Sequence, residues 1–415
     1  MAGLDFFSRT DGQQLISQIG ELVQQQKNAN AQLAVIAGAS QSKFLESWEA
    51  IAQAVSQGYG PDLFSIGSTF SEPWTDTAAS NTPSYDNPWR VNHFGNVETE
   101  DGRTAPGMWL QNVYAHPFGI PFCTFRAFLA CPDGLAAGTY HVTLGTNWGN
   151  NAAKGKTYQF TLTQAVEKGG RLGGFHQMPD ITPSNWKVYS YKSDAKTLVE
   201  TVSVTEGSGG TDLGTMDLTK RTGNLNSMHE AAYGHNRWKT SDLRQYLNSD
   251  KPKGEWWTPQ DQWSIMPDEA KTKDGYLCGL PADMKNSVVP VKTITYVNTV
   301  NDGTGDSYDI TFDKVSLISL EQMYINPQHA GEGEIHEYWK RVNGTATKWQ
   351  QWQTYPILKH YAVENRISAQ AVRLRSANRD NAYLTWHVGS SGSVNSYYTA
   401  HWANRFSPLV VIGKS

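Results

Sequence analysis

After Pro61 the chain is cut every few residues by Gly, Pro, Asn or Asp, and between the cuts stand short runs of aromatic and β-branched residues. A chain so punctuated is the signature of a β-rich body. In TYHVTL (139–144) and TYQFTLT (157–163) the alternation puts Tyr140, Val142 and Leu144 on one face, and likewise Tyr158, Phe160 and Leu162. The polar stretch GTNWGNNAAKGK between them reads as a long hairpin connection. Glycine accumulates at 167–176 and 206–215, and a soft boundary falls after the second run. Beyond it, Ser241 is placed to cap a short helix in SDLRQYLNSD whose Leu243 and Leu247 share a face. Strand-like runs such as VKTITYVNT (291–299) and YDITFDKVSLISL (308–320) follow. A few short helices among many short strands predict an α+β class.

The N-terminus has a different texture. Leu15, Ile19, Leu22, Ala29, Leu33 and Ile36 recur on alternating four- and three-residue steps, interrupted once by Gln26. This short heptad seam suits oligomerisation. Gly38 then separates it from a second helical stretch with Phe44, Trp48, Ile51 and Val55 on one face, which Gly58 and Gly60-Pro61 end. Three regions are therefore expected: a helical segment at 1–58, a β-rich module at 59–222, and a C-terminal domain at 223–415. The middle region is either an additional module or in part an insertion into the C-terminal domain.

At 415 residues the chain is long enough for two or three domains, and its formal net charge of -4 offers no basic excess for phosphates or anionic lipid. Nucleic acid is not an expected partner, nor is membrane insertion, because no apolar run approaches a spanning length. Charged residues make up only 18% while aromatics reach 12%, a balance that favours contact surfaces. Cys123, Cys131 and Cys278 form no CxxC pair and are expected as free thiols. The start, MAGLDFFSRTDGQQ, carries no basic and apolar leader, so release by lysis or within a particle is expected rather than secretion.

Motifs for catalysis are sparse. The sequence contains no GxSxG elbow, no P-loop and no GxGxxG after a strand. NDGTGDSYD (301–309) has the oxygen density of a cation loop without EF-hand spacing, and a hairpin turn is the simpler expectation. GEGEIHEYW (331–339) offers Glu332, Glu334, His336 and Glu337, but without HExxH spacing it reads as a polar loop entering a helix. No enzyme activity and no cofactor are expected. A pair of carboxylates meeting in space, as in a glycan hydrolase, is the catalytic alternative.

Residues 378–406, NRDNAYLTWHVGSSGSVNSYYTAHWANRF, are different. They are rich in Asn, Ser, Tyr, Thr and His and contain no Lys, Glu, Gln or Met. Alternation places Ala382, Leu384, Trp386 and Val388 inward and Tyr383, Thr385 and His387 outward, with Val394, Trp402 and Phe406 as further anchors. Tyr, Ser, Asn and Gly are what binding loops favour, since Tyr brings rigid amphipathic area and small polar residues bring adaptable hydrogen bonds. Lys and Glu lose more side-chain entropy when pinned.

The stretch RLRSANRDNAYLTWHVGSSGSVNSYYTAHWANRFSPLVVIG (373–413), with SDLRQYLNS upstream, resembles the C-terminal C-type-lectin-like domain of variable proteins diversified by retroelements, phage tropism determinants among them. The resemblance covers roughly residues 225–413. It implies that adenine-directed mutagenesis shaped the segment, since Asn-type codons reach Asn, Ser, Tyr, Thr, Asp or His and not Lys, Glu, Gln or Met. It further implies display positions at Asn378, Asp380, Asn381, Tyr383, Thr385, His387, Ser390, Ser393, Asn395, Ser396, Tyr397, Tyr398, Thr399, His401 and Asn404. Formylglycine-generating enzymes share that fold and use cysteines late in the domain, but none follows Cys278 here, which argues against oxidase chemistry. The expectation is a virion-borne phage receptor-binding protein. It would be trimeric, attached through its N-terminal segment to other tail proteins, and would bind a host cell-surface protein or glycan. A glycan-binding lectin of fixed specificity is the other alternative.

Overall fold

The computed structural model describes residues 18, 20–22, 47–147, 154–174, 186–304, 307–325, 330–343, 359–361, 367–390 and 392–414. They form an α+β structure in which strands predominate. Most of the heptad seam lies outside the described residues; where it is described, residues 20–22 are helical and Leu22 is exposed.

The second N-terminal stretch is the helix Trp48–Ser56. Ser47 caps it by accepting from the Ala50 amide, and Trp48, Ile51, Ala52 and Val55 are buried at helical spacing. Burial of Trp48, Ile51 and Val55 is worth about 1.5–3 kcal/mol each. The helix lies against Ala282–Ser287 and the strand Thr104–Asn112, so it docks on the body.

That body contains a five-stranded antiparallel sheet in the order Thr69–Thr75, Ser84–Glu98, Thr104–Asn112, Pro408–Ile412, Val315–Leu317. Strands from near the start thus pair directly with the last strand of the chain, on both sides of the compositional boundary at 222. The core beneath this sheet takes the helix Trp48–Ser56, Trp238, Leu243, Tyr246, Trp257, Tyr276 and Phe406. Ser241 caps the helix Asp242–Leu247 as its position suggests, and Leu243 and Leu247 are buried.

A seven-stranded sheet runs in the order Thr211–Met216, Gly138–Leu144, Thr157–Leu162, Leu198–Glu206, Lys187–Tyr191, Gly170–Gly173, Leu129–Cys131. Tyr140, Val142, Leu144, Tyr158, Phe160 and Leu162 are all buried, as their alternation requires. Their cluster continues into Met228, Ala231 and Ala232 of the helix Met228–Tyr233. A third cluster, including Trp339, Leu374, Trp386, Val388 and Val394, packs under a four-stranded sheet at residues 372–406. Cys123 and Cys131 are buried and Cys278 half-buried, all as free thiols.

Candidate binding surface

Strand Leu384–Val388 sits between Val372–Ala377 and Val394–Thr399, and Arg405–Phe406 pairs in parallel with the far side of Val372–Ala377. The scaffold holds this segment chiefly by its main chain. The buried Asn236 amide nitrogen donates to the carbonyls of Asn378 (2.9 Å), Asn381 (2.7 Å) and Leu384 (2.7 Å), and the Asn236 backbone amide donates to Ala382 O. Thr299 donates through both its amide and its hydroxyl to Arg379 O. Buried Arg373 donates to Thr399 O (3.1 Å) and Trp402 O (3.0 Å). Phe122 and Cys123 amides donate to Ala400 O, Ile120 to Asn404 O and His116 to Phe406 O. A carbonyl is present whatever the side chain, so these contacts fix the path while leaving residue identity open.

Placement of the expected display residues divides into three groups. Asp380, Ser390 and Tyr397 are exposed. Asn378, Asn381, Tyr383, Ser393, Asn395, Ser396, Tyr398, Thr399, His401 and Asn404 are half-buried. Two of these also shape the loop: Asn378 Oδ1 accepts from the Asp380 amide, and Asn381 Oδ1 from the amides of Tyr383 and Leu384.

Thr385 and His387 are a correction to the expected outward face, for they are only 0% and 2% exposed. The register shifts between Thr385 and His387 against one neighbour and between Arg373 and Ala377 against the other, which re-aims the side chains between them. Arg373 hydrogen-bonds the Thr385 hydroxyl, and the His387 ring lies flat on Tyr398 at 3.5 Å between centroids. Both faces of this strand are therefore covered. Conversely Trp402, expected as an anchor, is 50% exposed, and Leu384 is half-buried.

Burial, and secondarily the Arg373 charge, pushes the His387 imidazole down from 6.5 to about 3. The unfolded chain takes up a proton below pH 6.5 that the folded ring refuses. The stabilisation from the neutral ring is thus complete above 6.5 and lost as pH falls toward 3. In an NMR titration the His387 ring resonances are expected to stay fixed from pH 8 to about 5. A midpoint near the ordinary value would place the ring in solvent.

An aromatic cluster surrounds the segment. Tyr383 meets His229 at 4.8 Å and Tyr233 at 5.1 Å, His401 stacks on Tyr233 at 5.2 Å and meets Phe125 at 4.9 Å, and Trp402 lies 5.7 Å from Tyr398. His229, Tyr233 and Phe125 were not among the expected site residues. One signal for two of them is local: His229 and Tyr233 stand four apart on a helix whose other side, Met228, Ala231 and Ala232, is buried. Burial holds His229 down to about 4, so its ring is neutral at neutral pH. Rings of this kind give contact area at low entropic cost while hydroxyls and imidazoles supply hydrogen bonds.

The helix carrying His229 and Tyr233 is tied down by charge. Glu230, fully buried, accepts from Arg126, from Arg221 and from Asn301 Nδ2 at 3.0 Å. In the former cation-loop candidate, Arg221 lies 3.4 Å from Asp302, and Arg237 pairs with Asp309 at 2.6 and 2.8 Å. Those carboxylates are neutralised by arginines, and among the described residues no three His, Cys, Asp or Glu side chains converge on a metal position.

Residues 212–411 match the family model described as "Domain of unknown function (DUF6273)", a match that spans the whole surface segment. No curated protein and no solved structure matches the chain.

Proposed function

We propose that this chain is a non-enzymatic receptor-binding protein of a phage tail, displaying a diversified surface at residues 378–406 on a C-type-lectin-like scaffold. The observation that supports it most is the main-chain hold on the segment: donors from Asn236, Arg373, Thr299 and Phe122 meet carbonyls, so side chains can change without loss of these bonds. Around it stand exposed Tyr397 and Trp402 and half-buried Tyr383, Tyr398 and His401, an aromatic set suited to a protein or glycan receptor. Carried as a trimer through residues 13–37, several weak sites would act together on one cell.

Tyr397 is 73% exposed and Trp402 50%, so Tyr397→Ala and Trp402→Ala are each expected to change stability by no more than about 0.5 kcal/mol. The double variant is expected to lose at least about tenfold in its ability to block adsorption of the parent particle to susceptible cells, as hot-spot aromatics do. Equal blocking by wild type and double variant would remove the binding role from this surface.

A further inference from the structure

The two-stranded ribbon of Val291–Tyr296 and Tyr308–Asp313 is built inside out. Its inner face carries Thr293, Thr295, Asp309, Thr311 and Asp313, none more than 7% exposed. These polar groups are matched by the body. Arg237 pairs with Asp309, and Asp313 accepts from Arg244 Nε at 2.6 Å, from Trp238 Nε1 at 2.9 Å and from the Thr311 hydroxyl at 2.8 Å.

Alternation then sends the apolar residues of both strands outward. Ile294 stands opposite Ile310 and Tyr296 opposite Tyr308, with Phe312 next on the same face. Tyr308 is 54% exposed and Ile310 39%, while Ile294, Tyr296 and Phe312 are half-buried. A lone exposed apolar side chain is ordinary, but a cross-strand set above a buried acidic face is not. A slip of one residue would bury the isoleucines and free the acids, and the Arg237 and Arg244 pairs hold the register against it.

The ribbon adjoins the display segment. The Arg379 guanidinium lies 5.5 Å from the centre of the Tyr296 ring, which meets Tyr308 at 6.1 Å. Beside Arg379, Asn378 Nδ2 donates to the Ser396 hydroxyl at 3.0 Å, next to exposed Tyr397. One surface thus runs from Tyr397 through Arg379 to Tyr308 and Ile310.

Its chemistry separates a protein from a glycan. Isoleucine side chains offer neither hydrogen bonds nor a flat ring, so sugar hydroxyls laid on them would lose water without repayment. An apolar protein surface gains from the same contact. Size agrees, because thirteen of the expected display positions are exposed or half-buried, whereas a stable protein interface takes roughly 20–30 residues a side.

We propose, building on the receptor-binding role above, that the receptor is a folded protein and that the ribbon's outer face is a constant apolar anchor for it. The anchor docks on an apolar patch of the receptor while residues 378–406 contact the surface beside that patch.

The test uses the full chain as a competitor of particle adsorption. The double variant Tyr308→Thr/Ile310→Thr is expected to melt with the wild type, keep its sedimentation and block at least about tenfold more weakly. Should it melt early, Ile310→Lys decides, since it places a charge on the outer face at a single exposed position. Cells treated with proteinase K should lose adsorption and periodate-treated cells should keep it. Full blocking by the ribbon variants, with blocking lost in Tyr397→Ala/Trp402→Ala, would overturn the anchor and leave the display role standing. Full blocking by every variant, or none by the wild type, would remove that role and the anchor with it. Adsorption lost to periodate but not to protease would make the receptor a glycan, and a smaller oligomer in the ribbon variants would make the face a contact between copies of this chain; either result overturns the proposal.

Discussion

Asn236→Ala is expected to cost about 3–5 kcal/mol and to free the loop 378–384. One side chain, fully buried, faces three carbonyls and accepts from Asn298 Nδ2 at 2.9 Å. Truncation removes this donor from the carbonyls of Asn378 and Asn381 and the acceptor from one Asn298 Nδ2 hydrogen, while Leu384 O keeps the Asn378 amide and Asn298 Nδ2 keeps Asp302; each buried group left unsatisfied costs about 1–3 kcal/mol. The Asn236 backbone bond to Ala382 survives, which keeps the total below the plain sum. Asn236→Asp is the sharper probe, since it keeps size and turns the donor into an oxygen facing three oxygens; it should cost at least as much. Urea denaturation gives the energy and hydrogen exchange at residues 378–384 gives the location. A loss under about 1 kcal/mol for both variants would mean that the loop is held by something else.

Glu230→Gln carries a comparable penalty for a different reason. Glu230 is the carboxylate between Arg126 and Arg221, is fully buried, and shares its cluster with Asp261 on one side and Asp302 on the other. Removing its charge leaves two guanidinium groups with one acid fewer in a poorly hydrated site, a change worth about 3–5 kcal/mol. Because Ser227 caps this helix on the Glu230 amide, the backbone start should persist while the Arg contacts fail. The expected signature is a lower melting temperature together with altered ring contacts of His229 and Tyr233 on Tyr383, visible as chemical-shift changes at Tyr383. Retained stability would show the cluster to be a balanced surface network rather than a buried anchor.

The local parts of this fold were legible in the residues, and the long-range parts were not. Period-two alternation located the buried face at 140–144 and 158–162, and Ser241 marked a helix start, because each depends on neighbours a few positions away. Pairing of Pro408–Ile412 with Thr104–Asn112 has no local signal; it is decided by packing of the whole sheet. The 378–406 segment stood out by composition. Its alternation misplaced Thr385 and His387, since a period of two assumes solvent on the second face, whereas Arg373 and Tyr398 cover it. Trp402 was expected inside because it is large and aromatic, but it sits in the turn after Thr399 with half its surface free. Asn236 could not be found in advance, as its partners are main-chain carbonyls that leave no trace in residue identity.

The central claim is that side chains in 378–406 vary while the hold on their backbone stays constant, and sequencing the coding region and its neighbourhood in several isolates tests it most directly. The expected result is a near-copy of the segment beside a reverse transcriptase. Differences should be confined to adenines and fall on exposed or half-buried positions such as Asp380, Ser390, Asn395, Tyr397 and His401, with Asn236, Arg373, Trp386, Val388 and Phe406 unchanged. An invariant segment without a template copy, or changes spread evenly through the scaffold, would contradict it.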